Sequence, residues 1–280
     1  MLKKSLSVVL GFVLVLMLAA CNQTAQPTEK SNNVSKSNLT VEQLFERSTE
    51  ASATIKSFTV DMDMKQNMSG VPEVGDMVID SKIEMQFVTD PIQMYQKLKM
   101  NMGEEVGNID TEVYLTKDGM FMYEPTQGGW MKFPTNMSEE LMNLSNQQGN
   151  PLDELKKLQS FIDDFSYEED NKNYILKLTA SGDKLTQFIK ETMQSLSPEL
   201  AENEMLTEGM KINNMKYEIA IDKETYLPNQ LHVVMDLDFT MEGETMRLSQ
   251  TVNGVYTSYN EIDSITVPKD VLDNAVEMDM

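Results

Sequence analysis

Apolar and polar residues alternate along most of the chain with a period of two, which is typical of half-buried β-strands. In the first of these runs Phe58, Val60 and Met62 share one parity, and Thr59 and Asp61 share the other. Side chains at i and i+2 lie on the same face of a strand, so each run has an apolar and a polar face. The alternation predicts strands near 58–68, 77–87, 92–102, 109–116, 119–124, 129–133, 164–169, 173–179, 211–222, 226–240 and 244–258.

Helical spacing of apolar residues interrupts the strands. Thr40 and Gln43 have the spacing of a T-x-x-Q capping box, which is typical of a helix start, so a helix is predicted over 40–54. Two further helical regions are predicted over 138–162 and 183–196, and a short helix is predicted in the tail after Val267-Pro268.

The order of these elements predicts the fold class. Connections of hairpin length favour antiparallel pairing of neighbouring strands. A long sheet with one apolar face curls, and that face needs a cover. We therefore predict an α+β fold for residues 39–280, a single domain built on one large curved antiparallel sheet of about ten strands. In this half-barrel the helices cover the concave apolar face.

The segment before the domain has the features of a secretory signal. Lys3 and Lys4 precede an apolar run that is too short to span a bilayer. Leu18-Ala19-Ala20-Cys21 follows and resembles the bacterial lipobox, which implies that the Cys21 thiol carries diacylglycerol. We expect a signal peptide over 1–20 and, after the acylated (palmitate-type) Cys21, a flexible polar tether up to residue 38. Two or more acyl chains anchor a protein stably, which predicts a location on the extracytoplasmic face of the bacterial cell membrane.

The composition excludes several classes of function. One His and one Cys cannot supply a Cys/His zinc site or a Cys/His catalytic pair. A formal net charge of −22 argues against nucleic-acid binding, which depends on Lys and Arg. The sequence also lacks the G-x-S-x-G and phosphate-loop motifs of common enzymes. We expect neither an enzyme nor a cofactor.

Two motifs in the last part of the chain suggest a family. The stretch Ile221-Asp222-Lys223-Glu224-Thr225-Tyr226-Leu227-Pro228 resembles the strand–turn–strand signature of the LolA/LppX-like lipoprotein-carrier superfamily. Tyr256-Thr257-Ser258-Tyr259-Asn260-Glu261, followed by Ile265-Thr266-Val267-Pro268, is similar to uncharacterised surface lipoproteins of Gram-positive bacteria in that superfamily. The resemblance covers about residues 39–275. It implies a half-barrel whose concave face, capped by helices, can hold acyl chains.

Methionine is unusually frequent on the apolar parity of the predicted strands. The chain has 24 Met, and more than half of those beyond the leader share this parity. Met has three rotatable bonds and a polarizable sulfur, so it suits adaptable apolar surfaces, whereas a rigid core favours Leu, Ile and Val. The candidate residues lining a ligand cavity are Met62, Met64, Met85, Phe87, Met94, Leu98, Met100, Val233, Met235, Leu237, Met246 and Leu248.

Three interpretations of these methionines are open. They could line a deformable cavity for a lipid-like ligand, or they could fill a closed core. They could also bind Cu(I), which soft thioether ligands favour, through the pairs Met62/Met64 and Met100/Met102. No His or Cys accompanies those pairs, so we expect no metal site.

The remaining candidate functional residues are on the same strands, and most of them occupy the positions that face away from the apolar side. The carboxylates among them are expected to form a solvated, mutually repelling outer face rather than a Ca²⁺ site or an acid/base pair. His232 has polar parity and is expected to face solvent, and Trp130, after Gly128-Gly129, is expected to anchor a hairpin end. The carboxylates are Asp61, Asp63, Asp80, Glu84, Asp236 and Asp238.

Together these features predict a membrane-anchored extracytoplasmic lipoprotein. As a monomer it would bind or carry a hydrophobic or amphiphilic, lipid-like ligand in a Met-lined half-barrel cavity. The alternative is a non-enzymatic surface interaction module with a closed core, which would bind an envelope protein partner through its acidic exterior.

Overall fold

The structure is a computed structural model that describes residues 38–71, 75–103, 107–136, 158–182, 185–187, 209–241 and 244–278. Two α-helices, one 3₁₀ helix and twelve strands lie with both of their ends in this part of the chain. In chain order they are α1 (Val41–Ser52), β1 (Ser57–Val71), β2 (Gly75–Thr89), β3 (Ile92–Asn101), β4 (Asn108–Thr116), β5 (Gly119–Glu124), β6 (Gly129–Lys132), the 3₁₀ helix (Leu158–Asp164), β7 (Phe165–Glu169), β8 (Asn173–Ala180), β9 (Met210–Asp222), β10 (Pro228–Met241), β11 (Glu244–Thr257), α2 (Lys269–Asn274) and β12 (Val276–Glu277).

All twelve strands belong to one curved, unclosed sheet in the order β12-β6-β5-β4-β3-β2-β1-β11-β10-β9-β8-β7. The first and last long strands, β1 and β11, pair in the middle of the sheet, so the two ends of the domain meet there. The predicted α+β half-barrel is confirmed. It has twelve strands rather than about ten, and the short pairing of β12 with β6 is parallel rather than antiparallel.

The strands shorten from the middle of the sheet towards both of its edges. Near the centre, β1 and β2 have 15 residues each, and β10 and β11 have 14 each. At one edge β6 has 4 residues and β12 has 2, and at the other edge β7 has 5. The long central strands therefore provide most of the area of both faces.

Helix α1 begins where its capping box predicts. The Gln43 backbone N–H donates to Thr40 Oγ1 at 3.3 Å, and the Thr40 backbone N–H donates to Gln43 Oε1 at 3.0 Å. This exchange satisfies two backbone donors that a helix start leaves unpaired. The helix runs over Val41–Ser52, close to the predicted 40–54.

Several predicted elements lie partly or wholly outside the described residues. These are the signal peptide, Cys21 and most of the tether, together with most of the helices predicted over 138–162 and 183–196. The described end of the first of these helices is the 3₁₀ helix, and residues 185–187 are helical. No helix in the described part of the chain is long and apolar enough to span a bilayer.

Most buried residues of the long central strands lie on one side of the sheet. We call this side of β3, β2, β1, β11 and β10 the inner face, and the opposite side of the sheet the outer face. Strand β1 alternates buried and exposed residues from Val60 to Met68, as its sequence predicts. At its end Gly70 has φ +71, and a Cβ there would lie 2.8 Å from the Thr245 carbonyl oxygen. Only glycine permits this approach of β1 to β11.

The outer face has a smaller core at the β4–β6 end of the sheet, and this was not predicted. The segment after β11 crosses the outer face, where the Ile265 N–H donates to Gln93 Oε1 on β3 at 2.6 Å. It then ends as β12 against β6. We call the residues packed beneath it the outer-face cluster: Phe121, Val267 and Val271, with Tyr114, Trp130 and Ala275 partly buried against them.

Candidate ligand-binding face

The inner face contains every residue that the sequence proposes as cavity lining. All twelve belong to one hydrophobic cluster, because equal parity on paired strands directs their side chains to the same side. Their ligand-binding role stays a prediction. Buried members are Met62, Met64, Phe87, Leu98, Met100, Val233, Met235, Leu237 and Leu248, whereas Met85, Met94 and Met246 are partly buried.

Strand register determines which inner-face side chains are neighbours. Met64 lies opposite Ser81 on β2 and Val252 on β11. Met235 on β10 lies opposite Gln250 on β11. Directly opposed side chains have Cβ atoms about 4.5–5.5 Å apart, so these methionines contact both polar and apolar neighbours. The inner face is therefore a methionine-rich surface interrupted by polar positions.

The described helices on this side of the sheet, α1 and the 3₁₀ helix, lie beside the inner face, against β7 and β8. Leu44 and Phe45 of α1 are buried, and the Phe45 ring meets the Phe165 ring edge-on at 5.0 Å between centroids. Arg47 Nη1 donates to the Tyr226 hydroxyl at 2.6 Å, which ties α1 to the turn between β9 and β10. The helix is thereby fixed over the β7–β9 end of the sheet.

Three buried glutamines and a buried serine interrupt the apolar inner face, and one of the glutamines, Gln96 on β3, lies apart from the others, opposite Met85. Gln66 on β1 and Gln250 on β11 lie directly opposite each other and are 2% and 3% exposed. Gln66 Nε2 donates to Gln250 Oε1 at 3.0 Å. Ser81, on β2, is 4% exposed. Within the described part of the chain, neither Gln66 Oε1 nor Ser81 Oγ has a hydrogen-bond partner.

The sequence analysis missed this polar set, although a signal for it was present. Gln66 occupies the apolar parity of β1, between Met64 and Met68, and Gln250 occupies the same parity of β11. A polar residue at an inward position of an alternating strand is the informative exception to the hydrophobic pattern. Gln66 and Gln250 are 184 residues apart, so only the fold shows that they pair.

The outer face carries the six predicted carboxylates, but they do not simply repel one another. Asp63 lies 3.5 Å from Lys82 and Asp80 lies 3.6 Å from Lys65, in two cross-strand ion pairs. Asp238 lies 3.4 Å from Arg247. These contacts correct the expectation of a uniformly repelling surface.

Asp61 is the outer-face carboxylate with the least favourable surroundings. It lies directly opposite Glu84 on β2. Partial burial, followed by the negative charges of Glu84 and Asp63, raises the pKa of the Asp61 carboxyl above its usual value.

Two open grooves also lie along the outer face. The larger, of about 680 Å³, includes Asp76, Asp236, Asp238 and Arg247 in its lining. The smaller, of about 580 Å³, is lined largely by the residues of the two cross-strand ion pairs and their neighbours. Most of the residues that line the two grooves are polar or charged, in contrast to the inner face.

His232 and Trp130 lie on the outer face. His232 is half-buried rather than fully exposed, and its Nδ1 lies 3.0 Å from Asn253 Oδ1 on β11. Trp130 follows the Gly128–Gly129 turn and belongs to the outer-face cluster, with its ring centroid 5.6 Å from that of Tyr114.

The geometry offers little for a metal. Met62 and Met64 lie on β1 and Met100 lies on β3, with the whole of β2 between them. Among the described residues no group of three His, Cys, Asp or Glu side chains could hold a metal ion. The buried polar side chains on the described inner face, Gln66, Ser81, Gln96 and Gln250, are neutral amides and a hydroxyl.

Comparisons with known proteins give a family and several distant structural similarities. The family described as "Family of unknown function (DUF6612)" matches residues 40–276. No protein with a curated description matches the chain.

Among solved structures, the chain is similar to LprF from Mycobacterium bovis at 10% identity, covering 82% of this chain and 96% of that chain, with a TM-score of 0.38. It is similar to the lipoprotein LppX from Mycobacterium tuberculosis at 10% identity, covering 81% and 98%, with a TM-score of 0.37. It is also similar to a DUF1329 family protein from Desulfovibrio piger at 13% identity, covering 80% and 95%, with a TM-score of 0.24.

Proposed function

Because the chain belongs to a family of unknown function, DUF6612, we propose its function from the chemistry of its inner face. The protein is a non-enzymatic carrier that binds a hydrophobic or amphiphilic, lipid-like ligand against the inner face of its half-barrel. The observation that carries this proposal is the buried, methionine-rich surface on one side of an unclosed sheet.

Methionine supports a carrier better than it supports a rigid core. Its unbranched side chain changes rotamer at low cost, so one surface can pack against ligands of different shape. Binding would be driven by removal of apolar surface from water, at about 0.8 kcal/mol for each buried CH₂ group. No bond is made or broken in such a process.

The carrier would be held at the extracytoplasmic face of the cell membrane by acylated Cys21. The tether at 22–38 would span roughly 20–25 Å as a flexible chain, enough to let the domain reorient above the headgroups. Incorporation of labelled palmitate by the full chain, and its loss in Cys21→Ser, tests this part of the proposal. Unchanged labelling of the variant would contradict it.

A titration with a neutral naphthylamine fluorophore tests binding at the inner face. The full chain carrying Cys21→Ser is used, so that no acyl anchor competes for the dye. We expect saturable fluorescence enhancement that falls at least tenfold in affinity when Met64, Met100 and Met235 are replaced by Trp. The matched control replaces their outward-facing sequence neighbours Lys65, Lys99 and Asp236 by Trp and retains binding.

Each Met→Trp change is also made singly, because the triple variant is more prone to misfold. Circular dichroism identifies the variants that keep the fold. Absence of saturable binding in the unsubstituted protein would overturn the proposal. Equal binding by folded inner-face and outer-face variants would overturn it as well.

The outer-face grooves favour the second candidate, an interaction module that binds a basic envelope protein. Asp76, Asp236 and Asp238 contribute three carboxylates to the larger groove, against one Arg. This candidate predicts a reproducible crosslinked protein partner in cells whose association weakens as salt rises. It also predicts no saturable binding of the dye.

A further inference from the structure

The polar set on the inner face requires a physical explanation. Gln66 Oε1 and Ser81 Oγ are buried and have no partner among the described residues. A buried polar atom without a hydrogen bond costs the folded state about 1–3 kcal/mol. Most such atoms in native proteins are paired, so these two atoms are available to a polar group of a ligand.

The strand register places the two residues near each other on the same face. Ser81 is opposite Met64, the inward neighbour of Gln66 on the same strand, so the two residues are diagonal across the β1–β2 pair. Diagonal side chains on one face have Cβ atoms roughly 7 Å apart, and the register directs both of these side chains to the inner face. A single small group can therefore contact both.

The chemistry of the two atoms selects the group. The Gln66 carbonyl oxygen accepts a hydrogen bond, whereas the Ser81 hydroxyl can donate one. A ligand hydroxyl is complementary to both, because it donates to Gln66 and accepts from Ser81. A carboxylate or phosphate has only acceptors and would be repelled by the Gln66 carbonyl oxygen.

Charge leads to the same conclusion. The buried stretch of the inner face, over the described residues of β3, β2, β1, β11 and β10, carries no charged side chain. Charged residues of these strands, such as Asp63, Lys65 and Lys82, lie on the outer face. An ionic headgroup buried here would lose its hydration and gain no counter-charge.

We propose that Gln66, Gln250 and Ser81 form a subsite for the neutral hydroxyl group of an amphiphilic ligand, such as a long-chain alcohol or a hydroxyl-bearing neutral lipid. This inference rests on the proposed carrier function and specifies its ligand class. Gln250 orients Gln66 through the 3.0 Å hydrogen bond, so that the Gln66 carbonyl oxygen remains available. Met64 and Met235 border the subsite and contact the apolar part of the ligand.

The test compares three ligands that differ only at one end: dodecane, dodecanol and dodecanoate. Each displaces the neutral naphthylamine fluorophore from the full chain carrying Cys21→Ser. We expect dodecanol to bind about tenfold more tightly than dodecane, the gain of one to two good hydrogen bonds. Dodecanoate should bind no more tightly than dodecane.

The variant that removes the subsite is Gln66→Leu, Gln250→Leu and Ser81→Ala. It should bind dodecane as the parent does and lose the preference for dodecanol. The matched control is the outer-face hydrogen-bonded pair on β10 and β11, replaced as His232→Leu and Asn253→Leu, which should keep the preference.

Melting temperature distinguishes a ligand subsite from a structural polar pair. Replacing buried polar groups by apolar ones of similar shape is neutral or stabilising when those groups are not needed for the fold. The triple variant should therefore melt at or above the temperature of the parent. A lower melting temperature together with an unchanged preference for dodecanol would overturn the subsite.

The remaining outcomes separate the two proposals. Equal binding of dodecane and dodecanol by the parent protein would overturn the hydroxyl subsite but leave the carrier function intact. Failure of the dye and of all three ligands to bind would overturn the carrier function, and the subsite with it.

Discussion

The inner face and the outer-face cluster bury hydrophobic surface on opposite sides of the same sheet, but with different residues. The inner face uses flexible methionines and leaves Gln66 Oε1 and Ser81 Oγ without described partners. The outer-face cluster uses Phe121, Tyr114 and Trp130, whose rings have few rotamers. We interpret the inner face as a surface that can adapt its packing to a ligand, and the outer-face cluster as a fixed structural core.

Hydrogen bonding supports this contrast. Beside the outer-face cluster, the Tyr95 ring lies 4.7 Å from that of Tyr114, and its hydroxyl donates to Glu112 at 2.9 Å. The Met278 N–H donates to the Lys132 carbonyl oxygen at 2.9 Å, which fixes the end of the covering segment. The comparison teaches that burial alone does not identify a binding surface. Unpaired polar atoms and adaptable side chains separate the two regions.

The largest expected effect comes from breaking the outer-face cluster. Phe121 is 1% exposed, and Phe121→Ala should lower the free energy of unfolding by about 3–5 kcal/mol, because it leaves a cavity beneath a fixed cover. Urea denaturation measures the loss. Val78→Ala, at an exposed outer-face position, is the control and should change stability by less than about 0.5 kcal/mol. A loss below about 1 kcal/mol for Phe121→Ala would mean that the C-terminal segment does not pack as a fixed core.

A conservative substitution on the inner face should lower the free energy of unfolding by less than Phe121→Ala does. Met62→Leu keeps nearly the same volume, so it should cost less than about 1.5 kcal/mol in the same denaturation experiment. Ile83→Ala, at the neighbouring buried position on β2, is the contrasting control and should cost about 2–5 kcal/mol. If Met62→Leu cost as much as Ile83→Ala, the inner face would be as rigid as the outer-face cluster.

Alkaline pH should lower the free energy of unfolding through Tyr95, which lies beside the outer-face cluster. Burial, reinforced by the hydrogen bond to Glu112, raises the pKa of Tyr95 well above its usual range. The unfolded chain then loses this proton near pH 10 while the folded chain keeps it, so stability falls as pH rises above about 10. Tyr95→Phe should cost about 1 kcal/mol at neutral pH and show a shallower alkaline loss. Urea midpoints at neutral and alkaline pH check this, and equal alkaline slopes would count against it.

The smallest expected effect on stability comes from a substitution of Asp61, which lies on the part of the outer face that the C-terminal segment does not cover. The pKa of Asp61 is raised, so its carboxylate is less favourable in the folded than in the unfolded state at neutral pH. Asp61→Asn should therefore raise stability by about a few tenths of a kcal/mol at pH 7. The gain should disappear at acid pH, where both states are protonated. Asp80→Asn, which removes the ion pair with Lys65, is the control and should show no gain.

The strands and the faces of the inner residues could be predicted from sequence because alternation is a local signal. It directs Met62, Met64 and Met235 to one side whatever the order of strands in the sheet. The capping box at Thr40 is similarly local, and α1 begins where it predicts.

What could not be predicted depends on contacts between distant parts of the chain. The pairing of Gln66 with Gln250 requires β1 to lie beside β11, which the alternation of neither strand specifies. The outer-face cluster forms because the segment that contains Val267 and Val271 crosses the sheet and reaches Phe121. Two isolated valines give no periodic pattern from which this packing could be predicted. Ligand binding itself depends on shape and dynamics, which the alternation of apolar and polar residues along a strand does not reveal.

The shortening of the strands towards both edges bears on how copies of this protein behave when crowded. A sheet edge exposes unpaired N–H and C=O groups that can pair with a second molecule and begin aggregation. Here those edges are strands of 2 and 5 residues, and Lys132 and Glu277 add an ion pair beside the shorter one at 3.7 Å. An unclosed sheet of twelve strands thus presents little backbone for intermolecular pairing, a protection that a closed barrel obtains by having no edges at all.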